Sequence, residues 1–288
     1  LLAEHFTADK MLGPRQLLGP VMAQLEVLDN LRKQSRPPAA KPLLQMLAQY
    51  AEFAGWLQQD AGDIAAAMYW SDRASQWAQS AGDYQMVAYL LIRKSNIVCL
   101  ADDATTVIEL ATAAQDVPGG LDPKIVALAA QQEARGWALL GDFDHCRPKL
   151  DTAADLLRNH PDEPDPAAPV YIHHYDLDTL EEQSATCYRS VGRAEDAISI
   201  LERKIKQLPE TMHRDRGHQM AKLANAVVAT KQPEPEKAAH LGLACLDIAR
   251  LTGSARIEKE LHALDTALMA AWPYQADARA FHEALTAV

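Results

Sequence analysis

The stretch Gln49–Asp83, QYAEFAGWLQQDAGDIAAAMYWSDRASQWAQSAGD, decides how the rest of the chain is read. It holds two apolar helical runs separated by a tight Ala61-Gly62-Asp63 turn and closes in a second tight turn, Ala81-Gly82-Asp83. That is one helix–turn–helix unit. Gly55 and Ala67 are small residues where the two helices would cross, and Ala74 lies two turns beyond Ala67 on the same face. A unit of this size cannot bury its own apolar faces, so it implies neighbours.

Later turns supply them. Set on Gly62, the turn slot recurs at Asp102, Gly141, Gly192 and about Pro233, at separations of 40, 39, 51 and 41 residues. The spacing predicts about five repeats. Gly55, Ala67 and Ala74 fall on the eighth, twentieth and twenty-seventh positions of the tetratricopeptide (TPR) pattern, which the unit resembles. Asp178–Thr211 fits it best, with Ala185, Tyr188, Gly192, Ala197, Leu201 and Pro209 in register. The repeat before it carries Ala134, Trp137, Gly141, Leu150 and Ala153, with Cys146 in a small-residue slot. The second is worn (Ser95, Val107, Ala114), and the fifth is loose around Ala238 and Cys245.

The 288 residues are 48% apolar with only 16 Pro and 13 Gly, which excludes a disordered chain and allows a large core. Ala, Leu, Gln and Glu abound, and few stretches alternate with the period of a strand. The expected fold is all-α: a TPR-like right-handed superhelical solenoid of about five helix pairs with flanking N- and C-terminal helices. No apolar run reaches the roughly 18 residues of a membrane span. Met86–Leu100 comes nearest and is broken by Arg93-Lys94-Ser95-Asn96, so the chain reads as soluble and cytoplasmic, with no membrane partner. A formal charge of -11 opposes nucleic-acid binding by this segment, because a phosphate backbone is gripped by clustered Lys and Arg. The four cysteines, 99, 146, 187 and 245, are too far apart in sequence for a zinc ribbon or a redox pair and read as reduced, packed thiols. The first residue is Leu1 rather than Met, which suggests a fragment with something natural upstream.

In order, a helix is expected over 11–35, interrupted at Gly19-Pro20 and ended by the prolines of Ser35–Pro42. Repeats follow at 43–82, 83–117, 123–159, 170–210 and 211–253. Asp122 before Pro123 is a good helix cap. His160–Pro169, HPDEPDPAAP, reads as an exposed loop that accounts for the long interval. Two helices in 255–288, with Ile257, Leu261, Leu264 and Leu268 on one stripe, serve either as a cap on the last repeat or as a homodimer contact.

The words AEFAGWLQQDAGD, AAMYWSDRASQWAQSAGD, MVAYLLIRKSN and QQEARGWALLGD resemble the TPR region of actinobacterial transcriptional regulators with an Xre-type helix-turn-helix domain. More broadly they are similar to the TPR sensor part of the peptide-responsive regulators of Gram-positive bacteria. The similarity runs from about His5 to the C-terminus. It implies a sensor that binds a peptide or small signal in a concave groove and alters a DNA-binding head. That head is absent here and expected upstream, so DNA is a partner only through it.

In such a solenoid the first helix of each pair lines the inner surface. In register, this presents Gln49, Glu52, Trp56 and Gln59, then Arg93 and Asn96, then Gln131, Gln132 and Arg135, then Glu182, Gln183 and Arg189. Asp215-Arg216 reads as a groove or inter-helix ion pair. Asn and Gln amides pair with a peptide backbone, and an Arg fork holds a carboxylate. Arg93-Lys94-Ser95-Asn96 interrupts an otherwise apolar helix; it is either a binding patch, a solvated face, or a salt bridge to an acid such as Asp60. Arg93→Ala with Asn96→Ala is expected to weaken ligand binding without unfolding. Trp56 is a candidate pocket floor, whereas Trp70 and Trp77 read as core.

Catalytic and metal chemistry find no support. His173-His174-Tyr175-Asp176-Leu177-Asp178 has metal-site residue types, but adjacent helical histidines diverge by about 100° and a capped helix start fits better. His282-Glu283 opens a zincin-like HExxH whose last slot is Thr286. No phosphate-binding glycine loop, GxSxG or CxxC occurs, so the chain reads as neither an enzyme nor a cofactor or metal binder. The function expected is ligand- or peptide-sensing for a transcriptional regulator; the alternative is an adaptor that docks a partner's peptide segment.

Overall fold

Aspartates placed directly after a left-handed residue punctuate the chain. Gly62, Gly82, Asp102 and Gly141 have φ of 87°, 66°, 55° and 72°, and each precedes an aspartate. The left-handed residue ends one helix, and the following carboxylate accepts an N–H of the next, from Ala66, Met86, Thr106 and His145 respectively. Helix end and helix start are thus encoded within two residues, which makes short hairpins obligatory.

The computed structural model describes residues 2–161, 163–164 and 168–287, and every regular element among them is helical. The helices are α1 (Leu2–Leu12), α2 (Pro14–Gln34), α3 (Pro37–Asp60), α4 (Ile64–Ala81), α5 (Tyr84–Val98), α6 (Ala104–Gln115) and α7 (Pro123–Leu139). They continue as α8 (Phe143–Asn159), α9 (Leu177–Ser190), α10 (Ala194–Gln207), α11 (His213–Val228), α12 (Pro235–Thr252), α13 (Ala255–Ala271) and α14 (Ala276–Thr286). None is long and apolar enough to cross a membrane among the described residues.

Each helix packs on its successor, and α3, α5, α7 and α9 also pack in series, as do α11 and α13. Close crossings need small residues: a Cβ on Gly55 of α3 would lie 3.1 Å from the Ala67 carbonyl of α4. Two apolar cores result, one from Leu17 on α2 to Cys187 on α9, the other from Ala185 on α9 to Leu285 on α14.

The ends of this array meet. α1 packs on α11 and α3 on α13, with the Gly13 turn against Thr252 and the Gly62 turn against Ala255. Lys259 of α13 donates to the Leu100 carbonyl at 2.8 Å. The odd-numbered helices from α3 onward therefore surround an interior rather than an open trough.

Several boundaries differ from the sequence reading. α3 already starts at Pro37, because prolines are tolerated in a first helical turn, and α2 runs through Gly19-Pro20 unbroken after a separate α1. α13 and α14 extend the array, and α13 closes it against α3 instead of only capping it. Of the expected exposed loop, residues 162 and 165–167 lie outside the described residues; His160, Pro161 and Glu163 are exposed. Pro164, Ala168 and Pro169 are buried, and Ala168 belongs to the first core. The capped helix start read in His173–Asp178 is present: Asp176 caps α9 through the Thr179 N–H.

Candidate functional site

The inward faces of α3, α5, α7, α9, α11 and α13 carry the polar residues singled out in the sequence, and the closed ring makes most of them partners of each other. Arg93 of α5 is buried and its Nε lies 2.8 Å from Glu52 of α3, while Tyr89 donates to the same carboxylate at 3.4 Å. Arg93 Nη2 also donates to Gln59 at 3.0 Å, and Gln59 donates to Asn96 at 2.8 Å. The Arg93 patch is therefore neither a solvated face nor a free ligand grip, and its acid is Glu52 rather than Asp60. Burial pushes the Glu52 carboxyl up, and the Arg93 charge opposes that shift.

Trp56 does not floor an empty pocket either. Its indole N–H donates to Asp9 of α1 at 2.8 Å, and the guanidinium carbons of Arg256, Arg93 and Arg214 stand 4.5, 5.0 and 5.8 Å from its ring centroid. Three cations around one indole make a cation–π cluster at the junction of the chain's ends.

The next layer is built from amides and phenols. Gln131 of α7 donates to Gln183 of α9 at 2.7 Å and accepts from the Tyr175 hydroxyl at 2.9 Å; Gln183 donates to Tyr171 at 2.6 Å. Burial raises the Tyr171 pKa to about 12. Tyr175 lies in the His173–Asp178 segment and Tyr171 just before it, and both hydroxyls are engaged in this network. Among the described residues no group of His, Cys, Asp and Glu could hold a metal ion.

Glu182 pairs with Lys222 of α11 at 3.4 Å, and Arg189 with Glu260 of α13 at 2.8 Å. Asp215 pairs with its neighbour Arg214 at 3.2 Å. Arg216 donates to the Ile205 carbonyl of α10 at 3.1 Å. Gln132 is buried with its side-chain oxygen unpartnered, and Arg135 is half-buried with no hydrogen bond or ion pair among the described residues.

Residues missed in the sequence hold the ring shut. Arg214 reaches Asp9 and, at 3.2 Å, Asp60; Asp60 also accepts from Arg256 at 2.9 Å and Ser254 at 2.6 Å. The stripe Arg214, His218, Lys222 at steps of four on α11 was the available signal, since such spacing puts all three on one helix face. His218 is half-buried, and burial together with the charges of Lys222, Arg256, Arg214 and Arg135 holds its pKa well below the ordinary value. The cysteines are packed as the sequence suggested: Cys99, Cys146, Cys187 and Cys245 are free, buried thiols. Surface concavities on α8, at Phe143, Arg147 and Asp151, and on α1, at Ala3, Thr7 and Met11, lie away from the ring interior.

No protein-family model matches the chain, and no curated protein matches it. Among solved structures it is similar to BtubC (BKLC) from P. vanneervenii, with a TM-score of 0.51 at 15% sequence identity over 86% of this chain and 92% of that one. At that identity the likeness concerns the helical fold alone.

Proposed function

We propose that this chain is a TPR-like sensing domain of a bacterial transcriptional regulator, which binds a peptide or small-molecule signal on its inner surface and relays it to a DNA-binding domain encoded upstream. The observation that carries this reading is the polar interior. Trp56, Arg93, Arg135, Gln183, Lys222 and Glu260 come from six different helices and face one space, where apolar residues of similar volume would serve stability as well or better. Such a surface suits a ligand that exchanges polar contacts with it.

The joint of α1 and α3 with α11 and α13 supplies the relay. A signal that competes for Arg214 or Arg256 favours a looser ring, and that differential affinity shifts the shape seen by the upstream domain. The test is to express the gene with its upstream coding sequence and analyse small molecules retained through purification by mass spectrometry. A helix-turn-helix segment of about 60–80 residues upstream, and a retained molecule that changes DNA binding, support the reading. A full-length protein without such a segment, or one whose DNA binding ignores every retained molecule, overturns it.

A further inference from the structure

α1 is docked by a carboxylate rather than by an apolar stripe. Among its described residues only Asp9 is buried, at 3% exposure, while Leu2, Phe6 and Ala8 are half-buried and Ala3, Thr7, Met11 and Leu12 are exposed. Phe6 leans on Phe53 of α3, with ring centroids 4.3 Å apart. Asp9 Oδ2 accepts the Trp56 indole N–H at 2.8 Å, and its Oδ1 accepts from Arg214 Nη1. One carboxylate carried on α1 thus joins α3 to α11.

The donors around it share one place. The guanidinium carbons of Arg214 and Arg256 stand 5.8 and 4.5 Å from the Trp56 ring centroid, and both side chains donate to Asp60, at 3.2 and 2.9 Å. Asp9 does not saturate them. Arg214 is 3% exposed; its Nη1 holds Asp9 and Asp60 and its Nη2 holds Asp215, but its Nε is a buried donor with no acceptor among the described residues.

Buried donors without acceptors are rare in folded proteins and call for an explanation. A guanidinium edge that includes Nε suits a carboxylate accepting two parallel N–H bonds, and here that edge is not used in this way. Resting on the sensing role proposed above, we infer that Trp56 and Arg214 form a carboxylate-binding site, filled in this structure by Asp9, and that a carboxylate of the signal competes with Asp9 for it. Removing Asp9 alone strands an indole N–H and uncovers a buried guanidinium, whereas exchange for a second carboxylate satisfies both. The exchange releases α1, whose other contacts are only half-buried.

The experiment is NMR of the indole N–H groups of the 288-residue chain, with the Trp56 signal assigned among the five tryptophans through Trp56→Phe. Acetate and tetra-alanine with a free carboxyl terminus are titrated at constant ionic strength, against chloride and the terminal amide of the same peptide. A saturable movement of the Trp56 signal with the two acids alone is expected, together with faster amide exchange over Leu2–Leu12. Asp9→Asn keeps the shape of the internal competitor without its charge, and Arg214 retains Asp60 and Asp215, so this variant should stay folded. It should bind acetate about tenfold tighter or more, because the site no longer has to be vacated first. Arg214→Lys, which keeps the charge without the fork, should lose most of the response. No saturable movement in the wild type and in Asp9→Asn, an acetate affinity unchanged by Asp9→Asn, or a full response in Arg214→Lys overturns the inference. If peptide acid and amide move the Trp56 signal equally, peptide sensing stands and the carboxylate site falls. If acetate binds and tightens in Asp9→Asn while DNA binding by the full-length protein ignores every retained molecule, the carboxylate site stands and the sensing role falls.

Discussion

Asp60, the last residue of α3, and Arg214, in the first turn of α11, are 154 residues apart in sequence and 3.2 Å apart in space, both within the interior. Their pair, with Arg256 and Ser254 on the same carboxylate, ties the two ends of the helix array together. Removing one partner of a buried pair leaves the others uncompensated, at a cost of about 3–5 kcal/mol. Asp60→Ala should lose that much in urea unfolding, and Asp60→Asn less, because the amide still accepts hydrogen bonds. A loss under about 1 kcal/mol, the range of an exposed pair, would mean the joint contributes little.

The same carboxylate gives an acid limb. Burial alone would raise the Asp60 pKa, but the Arg256 and Arg214 charges and the Ser254 hydroxyl outweigh it, and the net shift is downward. Its stabilisation is therefore complete above the unfolded pKa of about 3.9 and is lost as pH falls through the lower folded value. Unfolding free energy measured from pH 5 to pH 2 should fall more steeply in the wild type than in Asp60→Asn.

His218 acts at higher pH. Its folded pKa lies well below 6.5, so the unfolded chain takes up a proton first as pH drops. Stability attributable to this group is present above about pH 6.5 and declines below it, by at most about 1.4 kcal/mol per pH unit. His218→Asn should flatten the stability profile between pH 6.5 and 5, measured by urea titrations at half-unit steps; an unchanged slope would show that the ring is freely hydrated.

Arg93 changes the meaning of an obvious mutant. Its Nε is 2.8 Å from Glu52, whose carboxyl is already pushed up by burial. Arg93→Ala with Asn96→Ala, harmless to folding on the sequence reading, should instead lose about 3–5 kcal/mol. Arg93→Met with Glu52→Leu, which removes both charges, should lose far less. Circular dichroism melts of the two double variants separate these outcomes.

What was legible in the sequence was local. Gly62-Asp63, Gly82-Asp83 and Gly141-Asp142 sit side by side in the chain, and adjacency is enough to encode a helix end and a helix start. The inward direction of Trp56, Gln59, Arg93, Gln131, Glu182 and Gln183 was legible too, because helical period sets which face a residue occupies. Whether those side chains were free was not, since that depends on which residues face them from other helices: Arg93 meets Glu52 of α3, Gln131 meets Gln183 of α9, and Trp56 meets Asp9 of α1. Asp9 and Arg214 are 205 residues apart, and Asp60 and Arg256 are 196 apart; no periodicity links such pairs. Packing of one inner helix on another turns Arg93 and Glu182 from candidate ligand contacts into ion pairs, while the Gln132 side-chain oxygen is left unpartnered.

Close packing of the second core gives a last test. Gly242 of α12 faces α13 and α14, where a Cβ would stand 2.7 Å from the Phe281 ring and 2.9 Å from a Leu264 methyl. Both neighbours are fully buried and hold the centre of that core, so neither can withdraw without opening space elsewhere. In an exposed helix, Gly→Ala gains up to about 1 kcal/mol from propensity. Here the overlap should exceed that gain, since forcing an extra carbon into a packed core costs about 1–3 kcal/mol. Gly242→Ala should therefore unfold at lower urea than the wild type; a variant of higher stability would mean that α12 stands further from α14 than these contacts place it.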